Sequence, residues 1–247
     1  MFSFFHKKIF LVDHIHGLVD MHNHILPGID DGAKNVEDSI KLIKGFSGFG
    51  VTNFICTPHI MHHYYPNTPV SIEKSYTLLK KELLHQNLDE ISIDTAAEHM
   101  IDDNFEKILE EGNTMRLKKD FLLVEMSYLQ PPINFETSIE KTKSKGIHPV
   151  LAHPERYAYL HKKMDRYYDY KKNANIFFQL NMLSLSNYYG KQIKKTALKL
   201  LDEGLYDFIS SDVHNLKHLE YIKSINLDKK RLDTILHLIN NTIITFA

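Results

Sequence analysis

Short runs of apolar residues recur through the chain, and between them lie longer stretches in which apolar residues return every three or four positions. The short runs fit buried strands at residues 17–22, 52–57, 91–97, 121–126, 148–152, 176–181 and 206–211. The intervening stretches predict helices over 36–49, 71–86, 135–145 and 192–203, with a last helix over about 229–246. Gly50, Gly146 and Gly204 each fall just past a helical run, where a left-handed C-terminal cap favours glycine. Strand alternating with helix through the whole length implies parallel pairing. With no Gly/Ser-rich linker and no second compositional zone, the pattern predicts one closed or nearly closed barrel, with an open doubly wound sheet as the alternative.

Composition narrows the class without naming a function. The 247 residues are 43% hydrophobic and 25% charged, enough for a proper core in a globular protein. Net charge is −1 and no Lys/Arg block forms a basic stripe, which argues against nucleic acid as the main partner. Cys56 is the only cysteine, so an internal disulfide is excluded. The aromatic start of the chain is broken by His6-Lys7-Lys8 and lacks the apolar run and small-residue cleavage site of a secretory signal. No stretch of about 18 apolar residues is present to span a bilayer, so a cytoplasmic protein is expected. Phe2, Phe4, Phe5 and Phe10 read as a packed N-terminal extension over residues 1–16, or as a contact with a membrane surface or partner; residues 17–247 form the main domain.

Potential metal ligands punctuate this pattern where apolar runs end. His22 and His24 are two residues apart, as are Asp212 and His214, and residues so spaced on a strand point the same way. With Asp31, His59, Glu98, Glu125 and His153 they make five imidazoles, four carboxylates and no thiolate, a set suited to zinc, manganese or iron. One ion takes about four to six donors, so nine donors imply two or three ions. Three divalent ions would leave an excess of positive charge over four carboxylates, and a phosphate ester is the obvious anion to meet it. His22, His59, Glu98, Glu125, His153 and Asp212 all fall at or just past the C-terminal end of an expected strand. A barrel gathers residues from many strand ends onto one face, whereas an open sheet uses only those near its switch point. The sixth strand offers only Gln179 and Asn181, which would support ligands rather than bind a metal.

The His-x-His pair followed by Asp30-Asp31-Gly32, then Thr57-Pro58-His59, an isolated Glu98, Ala152-His153-Pro154-Glu155-Arg156-Tyr157 and Ser211-Asp212-x-His214 resemble the PHP (polymerase and histidinol phosphatase) superfamily. Within it the chain most resembles the bacterial protein-tyrosine phosphatases of capsule and exopolysaccharide synthesis, the CpsB/CapC type, over residues 19–215. The resemblance implies a distorted (β/α)7 TIM-like barrel and a trinuclear centre holding manganese foremost, with iron or zinc as alternatives. It implies a substrate as well: the phosphorylated, tyrosine-rich tail of a membrane-bound bacterial tyrosine kinase. It places His22, His24, Glu98 and Asp212 around one ion, with Glu98 bridging to a second that also binds Glu125 and His153. Asp31, His59 and His214 hold the third. Family spacing from His22 selects Asp31 over Asp30, and His99 stands beside Glu98 as a competing donor. Residues 1–16 precede the motif that opens such chains, so nothing is implied for them.

The expected chemistry is attack on phosphorus by a metal-activated hydroxide, with the ions also stabilising phosphoryl charge. Arg156, three residues after His153, is suited to fork onto the phosphate, the alternative being a structural ion pair. A tyrosyl leaving group has a pKa of about 10, so a dedicated general acid is optional. The position six residues after Cys56 is His62, so the Cys-x5-Arg phosphate loop of cysteine phosphatases is absent. His62-His63-Tyr64-Tyr65 reads equally as a substrate-gripping rim or a solvated loop, and the tyrosines of 157–170 read as helix surface and packing, with substrate stacking as the alternative. A PHP phosphoesterase for a small molecule such as histidinol phosphate, and a non-catalytic metal-binding module, are the alternatives.

Overall fold

All seven apolar runs carry strands, and helices stand at all five predicted places, in a computed structural model that describes residues 8–247. Phe2, Phe4 and Phe5 lie outside the described residues. In chain order, β1 (Ile9–Phe10) and β2 (Val19–Asp20) precede α1 (Val36–Ser47), which leads to β3 (Asn53–Cys56), β4 (His59–Ile60) and α2 (Pro69–His85). Then come β5 (Ser92–Thr95), β6 (Glu98–Met100), α3 (Phe105–Glu110), β7 (Phe121–Glu125), α4 (Phe135–Ser144), β8 (His148–Ala152) and α5 (Met164–Lys172). After these run β9 (Phe177–Asn181), α6 (Lys191–Asp202), β10 (Phe208–Ser210), α7 (Leu216–Lys223), β11 (Asn226–Leu227) and α8 (Lys229–Phe246).

The fold is mixed α/β with parallel sheets. One sheet has the order β2-β3-β5 and the other β10-β9-β8-β7-β6-β4. β3 and β4 lie on one path interrupted at Thr57-Pro58, where proline has no N–H to give the ladder. β5 and β6 are interrupted at Ala96-Ala97, yet Ala96 N still donates to Cys56 O at 2.9 Å and Glu98 N to Pro58 O at 3.1 Å. Beyond β2, His24 N donates to Val213 O at 2.9 Å and Asp212 N to His22 O at 2.8 Å, with a parallel bridge between Asn23 and Val213. The helices pack against the strands, α2 on β5, α4 on β8, and α8 on β10 and β2.

Side chains on one face of the strands change character along their length. On β7 that face carries Phe121, Leu123 and Glu125, and on β9 Phe177, Gln179 and Asn181. Phe208 opens β10 and Ser210 ends it. Phe121, Phe177, Phe208 and Phe246 meet with ring centroids 5.0–5.9 Å apart and close the N-terminal end of the strands. Full burial of a ring contributes on the order of 2–3 kcal/mol, which applies to Phe208 and Phe246, while Phe121 and Phe177 are partly buried. Strand register is thus held at one end, and the other end is free to carry polar groups.

Several elements were not expected from the sequence. β1 pairs antiparallel with β11, Ile9 opposite Leu227 and Phe10 opposite Asn226, in strands of two residues that are too short to show a period. Nor were α3 and α7 expected, of six and eight residues, whereas α5, of nine, falls in the tyrosine-rich stretch read as helix packing. In α5 the buried positions are Tyr167 and Tyr170, so its apolar face does not read as a hydrophobic stripe. Gly50, Gly146 and Gly204 do take left-handed backbone, at φ 77°, 73° and 65°.

Candidate metal centre

The turn after β2 builds the first wall of the site. Gly32 lies so close to His24 that an added Cβ would stand 2.0 Å from the His24 carbonyl oxygen, so only glycine fits. This contact folds Asp30 and Asp31 back over His24. Asp30 Oδ2 accepts from His24 Nδ1 at 2.8 Å, its Oδ1 accepts from Gly32 N at 2.9 Å, and Oδ2 also meets His59 N at 3.1 Å. Asp30 is therefore a partner that orients histidines, while Asp31 reaches His59 Nε2 and His214 Nε2, each at 3.4 Å.

A second wall comes from β10 and its continuation. Asp20, fully buried, accepts from Ser210 Oγ (2.5 Å), Ser211 N (2.9 Å) and Ser211 Oγ (2.6 Å), and Ser210 Oγ also accepts from His22 N at 2.8 Å. These bonds tie the end of β2 to the end of β10 and set His22 beside Asp212. Asp212 takes left-handed backbone at φ 51°, as does His153 at φ 35°. Side chains other than glycine rarely do so, and such strain concentrates at functional positions.

All nine sequence-predicted ligands come together. His22 Nδ1 donates to Gln179 Oε1 at 3.0 Å, because that oxygen can only accept. His24 Nδ1 donates to Asp30 in the same way. Both Nε2 lone pairs then face each other across 3.4 Å. Glu98 Oε2 lies 3.2 and 3.4 Å from these two nitrogens, and Asp212 Oδ1 lies 3.4 and 3.3 Å from them. His153 Nε2 stands 3.0 Å from Glu98 Oε1. His59 Nδ1 stands 3.1 Å from Glu98 Oε2 and 2.9 Å from Glu125 Oε1. Among these nine, donor atoms within 4.8 Å of one another form four groups: His24, Asp31, His59 and His214; His22, His24 and Asp212; His22, Glu98 and His153; His59, Glu98 and Glu125; a fifth such group, His62, His63 and Asp103, is exposed.

This grouping differs in detail from the one the resemblance implies. His153 joins His22 rather than Glu125, because its left-handed turn past β8 aims Nε2 at Glu98. His59 takes the place beside Glu125 and also reaches Asp31 with its other nitrogen. Glu98 belongs to two groups, the position of a bridging carboxylate.

Donor chemistry and burial both fit divalent cations. Glu98 Oε2, both Glu125 oxygens, His59 Nδ1 and His153 Nδ1 are buried without a hydrogen-bond partner. Partnerless buried carboxylate oxygens are costly, and a cation satisfies them. Burial would raise the Glu98 carboxyl, yet His22 and His59 hold it well below the ordinary range. Burial, and then the charge of Glu98, push Glu125 up. Asp31, half exposed, opens the third group to solvent.

Arg156 is held among protein groups. Its Nη1 donates to Asp212 Oδ2 at 2.7 Å, and its guanidinium lies 4.6 Å from the Tyr128 ring centroid and 4.3 Å from that of Tyr189. Asn181 Nδ2 donates to the same Asp212 oxygen at 2.6 Å, leaving Oδ1 for the imidazoles. Tyr128, whose hydroxyl is 3.4 Å from His153 Nε2, and Tyr189 carry no spacing signal in the sequence and were not foreseen. His99 is turned away: Nδ1 meets Leu123 O at 3.2 Å and Nε2 accepts from Met115 N, also at 3.2 Å. His62 and His63 stand outside the cluster beside Asp103 on the exposed rim. Burial pushes the Cys56 thiol up, away from the thiolate form that a nucleophile needs.

A cluster of imidazoles and carboxylates at the C-terminal ends of parallel strands defines a metal-dependent hydrolase. The family model for capsular polysaccharide synthesis, CpsB/CapC, matches residues 18–226, and the chain belongs to that family. It is 29% identical over 201 residues to tyrosine-protein phosphatase YwqE of Bacillus subtilis, covering 81% of this chain and 78% of the relative. It is 30% identical over 206 residues to tyrosine-protein phosphatase CpsB of Streptococcus agalactiae, covering 81% and 84%. A solved structure described with YwqE from Bacillus subtilis and CpsB from Streptococcus pneumoniae, unique metal-dependent tyrosine phosphatases, matches at TM-score 0.81 and 27% identity over 93% of this chain and 94% of that one. A phosphotriesterase homology protein from Escherichia coli, at 11% identity and TM-score 0.51, shares the fold alone. Among the described residues, no helix is long and apolar enough to cross a membrane.

Proposed function

We propose that this chain is a metal-dependent protein-tyrosine phosphatase that acts on the phosphotyrosine tail of a bacterial tyrosine kinase controlling capsule or exopolysaccharide synthesis, in the cytoplasm at the membrane surface. The observation that carries the reading is the convergence of His22 and His24 lone pairs on Glu98 and Asp212 at 3.2–3.4 Å, beside buried carboxylate oxygens that lack partners. The names of the relatives support the substrate class. We read the two sheets as one distorted seven-stranded barrel of the PHP type, with residues 17–247 as the catalytic domain and 1–16 as an extension. The backbone bonds joining 22–24 to 212–213 support that closure.

His22, His24, Asp31, His59, Glu98, Glu125, His153, Asp212 and His214 would hold two to three divalent ions, manganese foremost, with iron or zinc as alternatives. Such ions supply Lewis acidity toward water and toward phosphoryl oxygens. The chain's own groups hold the rest of the geometry. Gln179, Asp30 and the Asp212 carbonyl each take a hydrogen from the Nδ1 of a histidine, which leaves Nε2 free to ligate. Arg156 spends one N–H on Asp212 and keeps the remainder of a planar fork for a phosphoryl oxygen. The rings of Tyr128 and Tyr189 fix the guanidinium in place.

A panel of phosphate esters tests the reading. Phosphotyrosine peptides should be hydrolysed well ahead of phosphoserine peptides and histidinol phosphate, since phenolate leaves more easily than an alkoxide. Equal or faster turnover of histidinol phosphate would assign the site to a small-molecule phosphoesterase instead.

A further inference from the structure

Beside the metal centre runs an apolar groove of about 790 Å³, lined by Met61, Tyr64, Met100, Leu129, Pro132 and Ile133. Tyr64, Leu129 and Ile133 are 77%, 91% and 103% exposed, a concentration of apolar side chains in water that marks an interaction surface. None of the nine clustered residues lines the groove, but the same strands and their loops serve both. The groove's walls are β6 and the loops after β4 and β7, the strands that carry Glu98, His59 and Glu125. Tyr65, next to Tyr64, stacks on His59 at 5.4 Å and 14°, and Tyr128, next to Leu129, meets His153. Two residues that touch the cluster, Tyr65 and Tyr128, are thus chain neighbours of two that line the groove, Tyr64 and Leu129.

We propose that the groove is a specificity subsite, resting on the phosphatase reading above, that binds the peptide segment flanking the phosphotyrosine and selects bulky apolar side chains there. Asp102 and Asp103 stand on its wall. Their carboxylates disfavour an anionic lipid surface and acidic flanking residues, while their oxygens already meet His62, His63 and Asn104. Exposed apolar residues on the loop after β4 (Tyr64) and the loop after β7 (Leu129 and Ile133) suit an extended chain with side chains that alternate in direction.

Steady-state kinetics on two phosphotyrosine peptides, one with leucine flanking residues and one with serine, measured beside p-nitrophenyl phosphate, test this directly. The wild type should show the lower KM for the leucine peptide. Leu129→Glu and Ile133→Glu should raise that KM on the order of ten-fold or more, the loss of one apolar contact, with kcat and p-nitrophenyl phosphate kinetics unchanged. Both side chains are exposed, so the variants should fold. Equal KM for the two peptides in the wild type, or no change in the variants, overturns the subsite and leaves the phosphatase reading standing. A wild type that hydrolyses p-nitrophenyl phosphate but neither peptide overturns the protein-phosphatase reading, and the subsite with it. A dimer that Leu129→Glu converts to monomer, with unchanged peptide KM, assigns the groove to a second copy and overturns the proposal.

Discussion

His22, His24 and His214 each donate Nδ1 to an acceptor of the protein, so the ring orientations are set by the fold itself. Of those acceptors only Asp30 is charged. Asp30→Asn should weaken metal binding on the order of 10–100-fold, the usual cost of losing a partner behind a ligating histidine, with folding retained; titration of metal-free protein with manganese checks it. Arg156→Ala should lower kcat/KM on the order of 10²–10³-fold, as for removal of one transition-state donor. Arg156→Lys should recover part of the rate, since ammonium keeps the charge but not the fork. Wild-type turnover in a folded, fully metallated Arg156→Ala protein would remove the residue from the chemistry. The convergence of nine separated residues was legible because histidines and carboxylates at strand ends have no common reason to be there except a shared site. The roles of Asp30, Tyr128 and Tyr189 were not, because hydrogen bonds and ring stacking across the fold leave no spacing in the sequence.

At the scale of elements, the strands do more than carry ligands. The β7 sequence reads Phe121-Leu122-Leu123-Val124-Glu125, and its period of two puts phenylalanine at the plugged end and glutamate at the open end. That much follows from the sequence. The break at Ala96-Ala97 does not, since no proline marks it and it depends on how neighbouring strands share backbone bonds. The turn after β2 is the most constrained element. Gly32→Ala sets a Cβ against the His24 carbonyl oxygen and should cost on the order of 3 kcal/mol. Because the same turn positions His24, Asp30 and Asp31, metal stoichiometry should fall with it. A thermal melt and metal content measured on one preparation would show both losses, and a variant with wild-type values for both would contradict the packing.

For the whole molecule, acid sensitivity has a source outside the metal cluster. Burial lowers the His99 pKa to about 4 in the folded protein, against about 6.5 in an unfolded chain. As pH falls below 6.5 the unfolded chain takes up the proton first, so the folded state loses stability down to pH 4 and no further. The loss amounts to about 3 kcal/mol. Denaturant unfolding of metal-free wild type and His99→Gln at steps between pH 7.5 and 4 isolates this contribution. The stability advantage of the wild type should shrink by that amount over the window, and a constant difference would contradict it.

The central claim, that several divalent ions held by these nine residues perform phosphotyrosine hydrolysis, is tested most directly by one combined measurement. Elemental analysis of active protein is followed through stepwise chelation while turnover of a phosphotyrosine peptide is recorded on the same samples. The prediction is two to three tightly bound equivalents, activity lost as they are stripped, and activity restored by manganese. Full turnover with less than one bound equivalent would contradict the multinuclear centre.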